Sequence, residues 1–370
     1  MPITLPWPAL RNAADIPSPA LLIDEPRMEA NLAATLAIAG SPARLRPHLK
    51  THKLPQVARR LVHLGVTKAK VATIAEAEMA AHAGMLDILL ALQPVGPAAH
   101  RLAQLARQFP AIRWSAVFDD ANAVRSMAAA TLHGPPIGAW VDLDVGQHRT
   151  GIAPGPGAVS LTCEILRHPG LAWRGLHAYD GHLGIPDLDA RTRACDEAFA
   201  LVDQLAGNLA ERAIAVPAIV AGGSPTFAIH ARRPGIELSP GTTVLWDAGY
   251  ASKLPDLPFE PAVVLLARVV SRPSPDTICL DLGHKAVASE MPHPRVLFPG
   301  LPDAEPVSHS EEHLVLKTSL APVLPPGTEV YGIPWHVCPT VALHQEAWLV
   351  RDAVAIEPWP VAARARRLTV

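Results

Sequence analysis

Short apolar runs along the chain alternate with stretches of helical spacing, and this alternation predicts a repeated strand–helix unit. Strands are expected at Ala20 to Asp24, Leu45 to Lys50, Lys70 to Thr73, Asp87 to Leu92, Ile112 to Phe118, Ile137 to Asp144, Leu171 to Tyr179 and Ala218 to Ala221. Between them the periodicity predicts helices, among them Pro26 to Ala39, Pro55 to Leu64, Ile74 to Ala83, Pro97 to Gln108, Asp119 to Ala130, Gly157 to Leu166 and Ala190 to Glu211. The economical α/β reading is a (β/α)8 TIM-type barrel. After about Ala251 the pattern changes to short β-like runs, Ala262 to Val270, Thr277 to Leu282, His313 to Lys317, Glu329 to Ile333 and Ala347 to Arg351, set apart by proline-rich turns. This predicts a smaller, mainly antiparallel β domain. The expected division is a barrel over 18–250 and a β domain over 251–370, joined by the N-terminal segment 1–17.

Composition narrows the partners. The chain is 49% hydrophobic and 18% charged, with a formal net charge of -2, so nothing favours nucleic acid or an anionic membrane, and a small molecule is the expected partner. No apolar run is long enough to span a bilayer, and Met1 to Pro8 lacks a basic segment followed by an apolar one, which makes a cytoplasmic location the default expectation. Cys163, Cys195, Cys279 and Cys338 are scattered without a paired framework, which suits a reducing compartment.

Candidate chemistry concentrates in three places. In Arg46-Pro47-His48-Leu49-Lys50-Thr51-His52-Lys53, an extended backbone would turn Arg46, His48, Lys50 and His52 to one face. Cationic neighbours and burial both disfavour the ammonium, and Schiff-base chemistry needs the neutral amine. A solvated basic edge strand is the plain alternative. Reactive groups of such barrels sit at the carboxyl ends of strands, and Ala221-Gly222-Gly223-Ser224-Pro225-Thr226 follows the last expected strand, offering amides and hydroxyls to a phosphate. A lysine with a phosphate cradle points to pyridoxal phosphate. Two further strand ends are polar: Asp142 and Asp144 share a face with Arg149 in the loop beyond, and His177 shares one with Tyr179. A hydrogen-bond network inside the barrel would explain these as well. In the β domain, His336 and Cys338 would share a strand face, and an imidazole with a thiolate suits zinc; a structural histidine beside a buried thiol is the alternative.

Together these motifs resemble the D-threonine aldolase and D-serine dehydratase family of fold-type III, alanine racemase-like pyridoxal-phosphate enzymes. The resemblance runs from Ser18-Pro19-Ala20-Leu21 through the Arg-Pro-His-x-Lys-Thr-His-Lys segment, Ala72-Thr73-Ile74-Ala75-Glu76-Ala77, His148-Arg149-Thr150-Gly151 and the Gly-Gly-Ser turn. It continues into Glu237 to Thr242, Asp281 to Ala286, Ser310 to His313 and the His-x-Cys. It implies that Lys50 is the Schiff-base lysine, with His48, Arg149 and Tyr179 around the cofactor, and that Gly222, Gly223, Ser224 and Thr226 hold its phosphate. His336 and Cys338 would bind a divalent metal, zinc first, with manganese or magnesium as alternatives. The implied activity is that of a lyase on D-β-hydroxy amino acids such as D-serine, D-threonine or D-3-hydroxyaspartate. The cysteine in the metal pair favours a dehydratase releasing a 2-keto acid and ammonia over an aldolase releasing glycine and an aldehyde. A homodimer is implied too. A racemase would leave the metal pair unexplained, and a non-catalytic pyridoxal-phosphate carrier would leave the β domain unexplained.

Overall fold

The computed structural model describes Trp7 and residues 9–369, and the chain divides into two compact units. One comprises Thr35–Lys50, Leu54–Gly241 and the residues from Ala365 onward; the other comprises the described residues up to Ala34, Thr51–Lys53 and Thr242–Arg364.

The first unit is the barrel. Strands Lys68–Val71, Asp87–Leu90, Arg113–Phe118, Ile137–Leu143, Leu171–Ala178, Ile219–Ala221 and Ile236–Leu238 form a parallel sheet in sequence order. Helices such as Ile74–His82, Pro97–Gln108 and Ala121–Ala130 provide the crossovers. Leu45–His48 closes the sheet. Leu45 bridges Leu238 and His48 bridges Lys70. The Arg46 and His48 amides donate to Leu238 and Pro240, both at 2.8 Å, and the Lys70 amide donates to Pro47 at 2.9 Å. The TIM-type expectation therefore holds, but with two strands exchanged. Ala20–Asp24 is not a stave. The eighth is Ile236–Leu238, whose three residues with Glu237 in the middle carry no apolar run.

The second unit explains where Ala20–Asp24 went. It pairs antiparallel with Val263–Ser274 and parallel with Glu346–Arg351, inside a sheet whose other ladders are antiparallel. Residues 18–34 and 242–250 accordingly group with the β unit and not with the barrel. Trp7, Leu10, Ala13 and Ile16 share a core with Leu22, Val264 and Ile333. Residues 1–6 and 8 of segment 1–17 lie outside the described residues.

Arg46 turns into the barrel and is fully buried. Its guanidinium meets Asp87 at 2.8 Å and Glu237 at 2.7 Å, and lies 5.6 Å from the centre of the Trp140 ring. Burial alone would favour the neutral acid at Asp87, but Arg46 holds its carboxyl below the usual range. Removing one member of such a group strands a buried charge. Arg46→Met is expected to lower the unfolding free energy by about 3–5 kcal/mol, measured by urea denaturation. A depressed folded-state pKa gives stability that is present above the unfolded carboxylate range and lost on acidification, so the penalty of Asp87→Asn should shrink below about pH 4.

Candidate active site

A cavity of about 300 Å³ opens among the carboxyl ends of the staves, and its lining includes Lys50, Lys70, Asp142, Arg149, His177 and Tyr179. Register explains two of these. Asp142 and His177 are opposite partners on neighbouring strands, so their side chains rise from the same face. Lys50 lies just past its stave. The backbone leaves the extended form after His48, Leu49–Thr51 makes a 3-10 turn, and the Lys50 amide donates to His48 Nδ1 at 3.3 Å. The expected cationic row is therefore corrected: Arg46 is neutralised by two carboxylates, and Thr51–Lys53 belongs to the other unit. The cations near Lys50 are others. Lys50 Nζ lies 5.9 Å from the centre of the Tyr179 ring, Lys70 Nζ 5.3 Å and the Arg149 guanidinium carbon 5.3 Å.

Arg149 is carried by a tied loop. The Asp144 carboxylate accepts from the amides of Gly146 and His148, each at 3.0 Å, and the chain returns to pair Leu143 with Ile152. Gly151 makes that return possible. Its φ is +100°, and a Cβ there would lie 2.6 Å from the Asp144 nitrogen.

Lys70 went unnoticed as a site residue in the sequence, where it only begins the expected strand Lys70 to Thr73. It is buried, with Nζ 3.4 Å from His177 Nε2, while His177 Nδ1 lies 2.6 Å from Asp142. Burial first, and then the charge of Lys50, lower the Lys70 pKa to about 7. Burial and Lys70 together hold the His177 imidazole below its ordinary value. The Asp142 carboxylate assigns the ring proton to Nδ1, which leaves Nε2 as the acceptor facing Lys70.

The glycine turn is braced from behind. Asp180 Oδ1 accepts from the Gly223 amide at 3.1 Å and from Thr226 Oγ1 at 2.6 Å, and Oδ2 meets His230 Nε2 at 2.7 Å. Thr226 and the Gly223 amide thus serve the turn itself, where the sequence suggested phosphate donors. Ser224 Oγ accepts from the Gly241 amide at 3.3 Å. Gly222 has a φ of +88°, which favours glycine, and a Cβ on Gly223 would lie tightly, 3.0 Å, against the Tyr179 ring. Among the described residues, Asp180, Cys195 and His230 also stand close enough together to ligate a metal. Their surroundings disfavour one: Arg233 lies 3.0 Å from His230 Nδ1, and burial pushes the Cys195 thiol up to about 12. Pyridoxal phosphate suits the cavity itself, which supplies an amine, a guanidinium and an aromatic face within a volume fitted to a small cofactor.

His336 and Cys338 lie in the β unit. The sequence placed them on a strand, but Glu329–Pro334 ends before them, His336 caps the helix Val337–Leu343, and Cys338 sits in its first turn. Cap geometry brings them together instead of strand alternation. Burial opposes a charge on His336, yet Cys338, then Glu290 at 2.5 Å from Nδ1, raise its pKa to about 9. Thr51 Oγ1 and Thr242 Oγ1 lie 3.2 and 3.6 Å from Cys338 Sγ. Asp247 accepts from the Val337 amide at 3.1 Å and anchors the helix start. An imidazole and a sulfur with carboxylates close by form a donor set that suits a borderline-soft divalent cation. Glu290 and Asp247 were not foreseen, since neither stands in a motif.

Known proteins share this organisation. Residues 23–245 match the alanine racemase N-terminal domain, and residues 262–350 match the putative serine dehydratase domain. The chain is 32% identical to a D-threonine aldolase from Arthrobacter sp over 98% of this chain and 97% of that protein. The crystal structure of a D-threonine aldolase from Filomicrobium marinum superposes with a TM-score of 0.88 at 31% identity, covering 95% of this chain and 96% of that one. A D-threo-3-hydroxyaspartate dehydratase from Delftia sp. is 29% identical over 62% of this chain and 61% of that protein. With both domain types in order and whole-length identity to an aldolase, the chain belongs to the fold-type III, alanine racemase-like family that holds D-threonine aldolase and the D-3-hydroxyaspartate lyases.

Proposed function

We propose that the chain is a pyridoxal-phosphate- and divalent-metal-dependent lyase of D-β-hydroxy amino acids, and that its main reaction is dehydration to a 2-keto acid and ammonia. The observation that carries this reading is the His336–Cys338 pair with Glu290 beside it, in a chain whose barrel also holds a lysine-lined cavity. When bound, the cofactor would withdraw electrons from Cα, and a metal on His336 and Cys338 would polarise the β-hydroxyl as a Lewis acid. The chain's own residues do the rest. Lys50 would be the attachment amine and the base for the Cα proton. His48 Nδ1 accepts from the Lys50 amide and so orients that turn. Arg149 and Tyr179 would hold the cofactor ring, and the turn at Gly222 and Ser224 would receive its phosphate.

Retro-aldol cleavage to glycine and an aldehyde is the second reading, favoured by the whole-length likeness to D-threonine aldolase. Of the Delftia dehydratase, one structure is described as a cysteine-to-alanine variant in the metal-free form. That supports a cysteine among the metal ligands here. D-Serine, D-threonine and D-3-hydroxyaspartate are the proposed substrates. A homodimer and a cytoplasmic location complete the proposal; four free cysteines agree with the latter, and among the described residues no helix is long and apolar enough to cross a membrane.

Incubation of the protein with pyridoxal phosphate, zinc and D-threonine, with products quantified by mass spectrometry, is expected to yield 2-oxobutyrate and ammonia. Glycine with acetaldehyde would move the assignment to an aldolase. Borohydride reduction of the loaded protein should fix the cofactor on Lys50, and Lys50→Ala should lose that adduct together with activity, on the order of 10³-fold. Cys338→Ala should lose metal, measured by elemental analysis, and activity while retaining the cofactor. An unchanged metal content would make the thiol structural.

A further inference from the structure

Lys50, if it carries the cofactor, has no free amine when substrate arrives, yet an amino acid enters at neutral pH as an ammonium and must lose a proton before its nitrogen can displace a lysine. Lys70 is the other lysine lining the cavity. It stands on the stave beside His48, at the carboxyl end of Lys68–Val71, and faces the same Tyr179 ring as Lys50. We propose that Lys70 is a second catalytic amine of this cavity, the base that takes the proton from the α-ammonium group of the incoming amino acid.

The geometry gives Lys70 the means. His177 Nδ1 is committed to Asp142, so its Nε2 accepts an N–H of Lys70 at 3.4 Å, and the lone pair of the neutral amine is left for a proton. In the transfer one N–H bond of the substrate breaks and one forms at Lys70 Nζ. No electrons are exchanged. The charge passes to Lys70, where the Asp142–His177 pair supports it in the way a carboxylate supports a histidine base in hydrolase triads.

The groups facing Lys70 act in both directions. Lys50 from the 3-10 turn and Arg46 from the closing stave disfavour its charge, as burial does. Asp142 from Ile137–Leu143 and Asp180, just past the end of Leu171–Ala178, favour it. Arg149 shares the Tyr179 ring. The balance puts the amine near half-neutral at about pH 7, where a base is most useful.

The proposal rests on Lys50 as the attachment residue, and the experiment separates the two. Protein loaded with pyridoxal phosphate is reduced with borohydride and mapped; unreduced protein is mixed with D-alanine, which has no β-hydroxyl to eliminate or cleave, and exchange onto the cofactor is followed by absorbance against pH. Wild-type exchange should rise through about pH 7. Lys70→Met should slow it on the order of 10²-fold near neutrality and recover at high pH, where the amino acid arrives deprotonated. Lys70→Arg, which cannot accept a proton, should behave like Lys70→Met. An unchanged rate, or a loss that is equal at every pH, would overturn the base role. An adduct on Lys50 with unchanged exchange defeats the base role alone, whereas an adduct on Lys70 defeats the Lys50 assignment as well. If Lys70→Met does not load, competitive acetylation of the cofactor-free wild type decides: half-reactivity of Lys70 near pH 7 is expected, and a value in the ordinary lysine range would refute the proposal.

Discussion

Closure of the parallel sheet by four residues is the constraint on which the barrel depends. Leu45–His48 hydrogen-bonds to Ile236–Leu238 on one side and to the strand of Lys70 on the other, so the sheet has no open edge. The same four residues carry Arg46 inward to its carboxylates and deliver Lys50 to the rim two residues later. A stave that short can do both because its termini are fixed. Below, a buried charge group sets its depth; above, His48 accepts from the Lys50 amide and the chain turns.

The reactive side chains are each held by a buried partner. His177 is oriented by Asp142, the glycine turn by Asp180, and the start of the His336–Cys338 helix by Asp247. In every case a carboxylate accepts from a donor whose placement matters for chemistry. Buried polar groups of this kind cost stability unless fully satisfied, and once satisfied they fix a single geometry.

Much of this was legible in the sequence, and the misses have physical causes. The barrel strands with apolar, buried runs, such as Asp87–Leu90 and Ile137–Leu143, are plain from their pattern. Ala20–Asp24 has the same local pattern, but which sheet a strand joins is decided by partners hundreds of residues away, here Val263–Ser274 and Glu346–Arg351. Ile236–Leu238 hides because its middle residue is charged, and only the fold shows that Glu237 has Arg46 opposite. His336 and Cys338 were visible as a pair, yet their arrangement was not. Pro339 tolerates either a turn or the first turn of a helix, and the anchoring carboxylate of Asp247 is 90 positions from Val337. Lys70 was overlooked because a lysine in a strand is usually solvated, and burial is a property of the assembled barrel.

Three basic side chains, Lys50, Lys70 and Arg149, crowd around one phenol ring. Their crowding disfavours charge on Lys70, and although Asp142 and Asp144 also line the cavity, a small anion would find cationic donors beside that ring. Sulfate or inorganic phosphate in a purification buffer would settle there, steady the protein against heat and compete with the phosphate end of the cofactor. The ease of reconstitution would then depend on the salt in which the protein was prepared as much as on the fit of the ring, a dependence set by the spacing of charges around Tyr179.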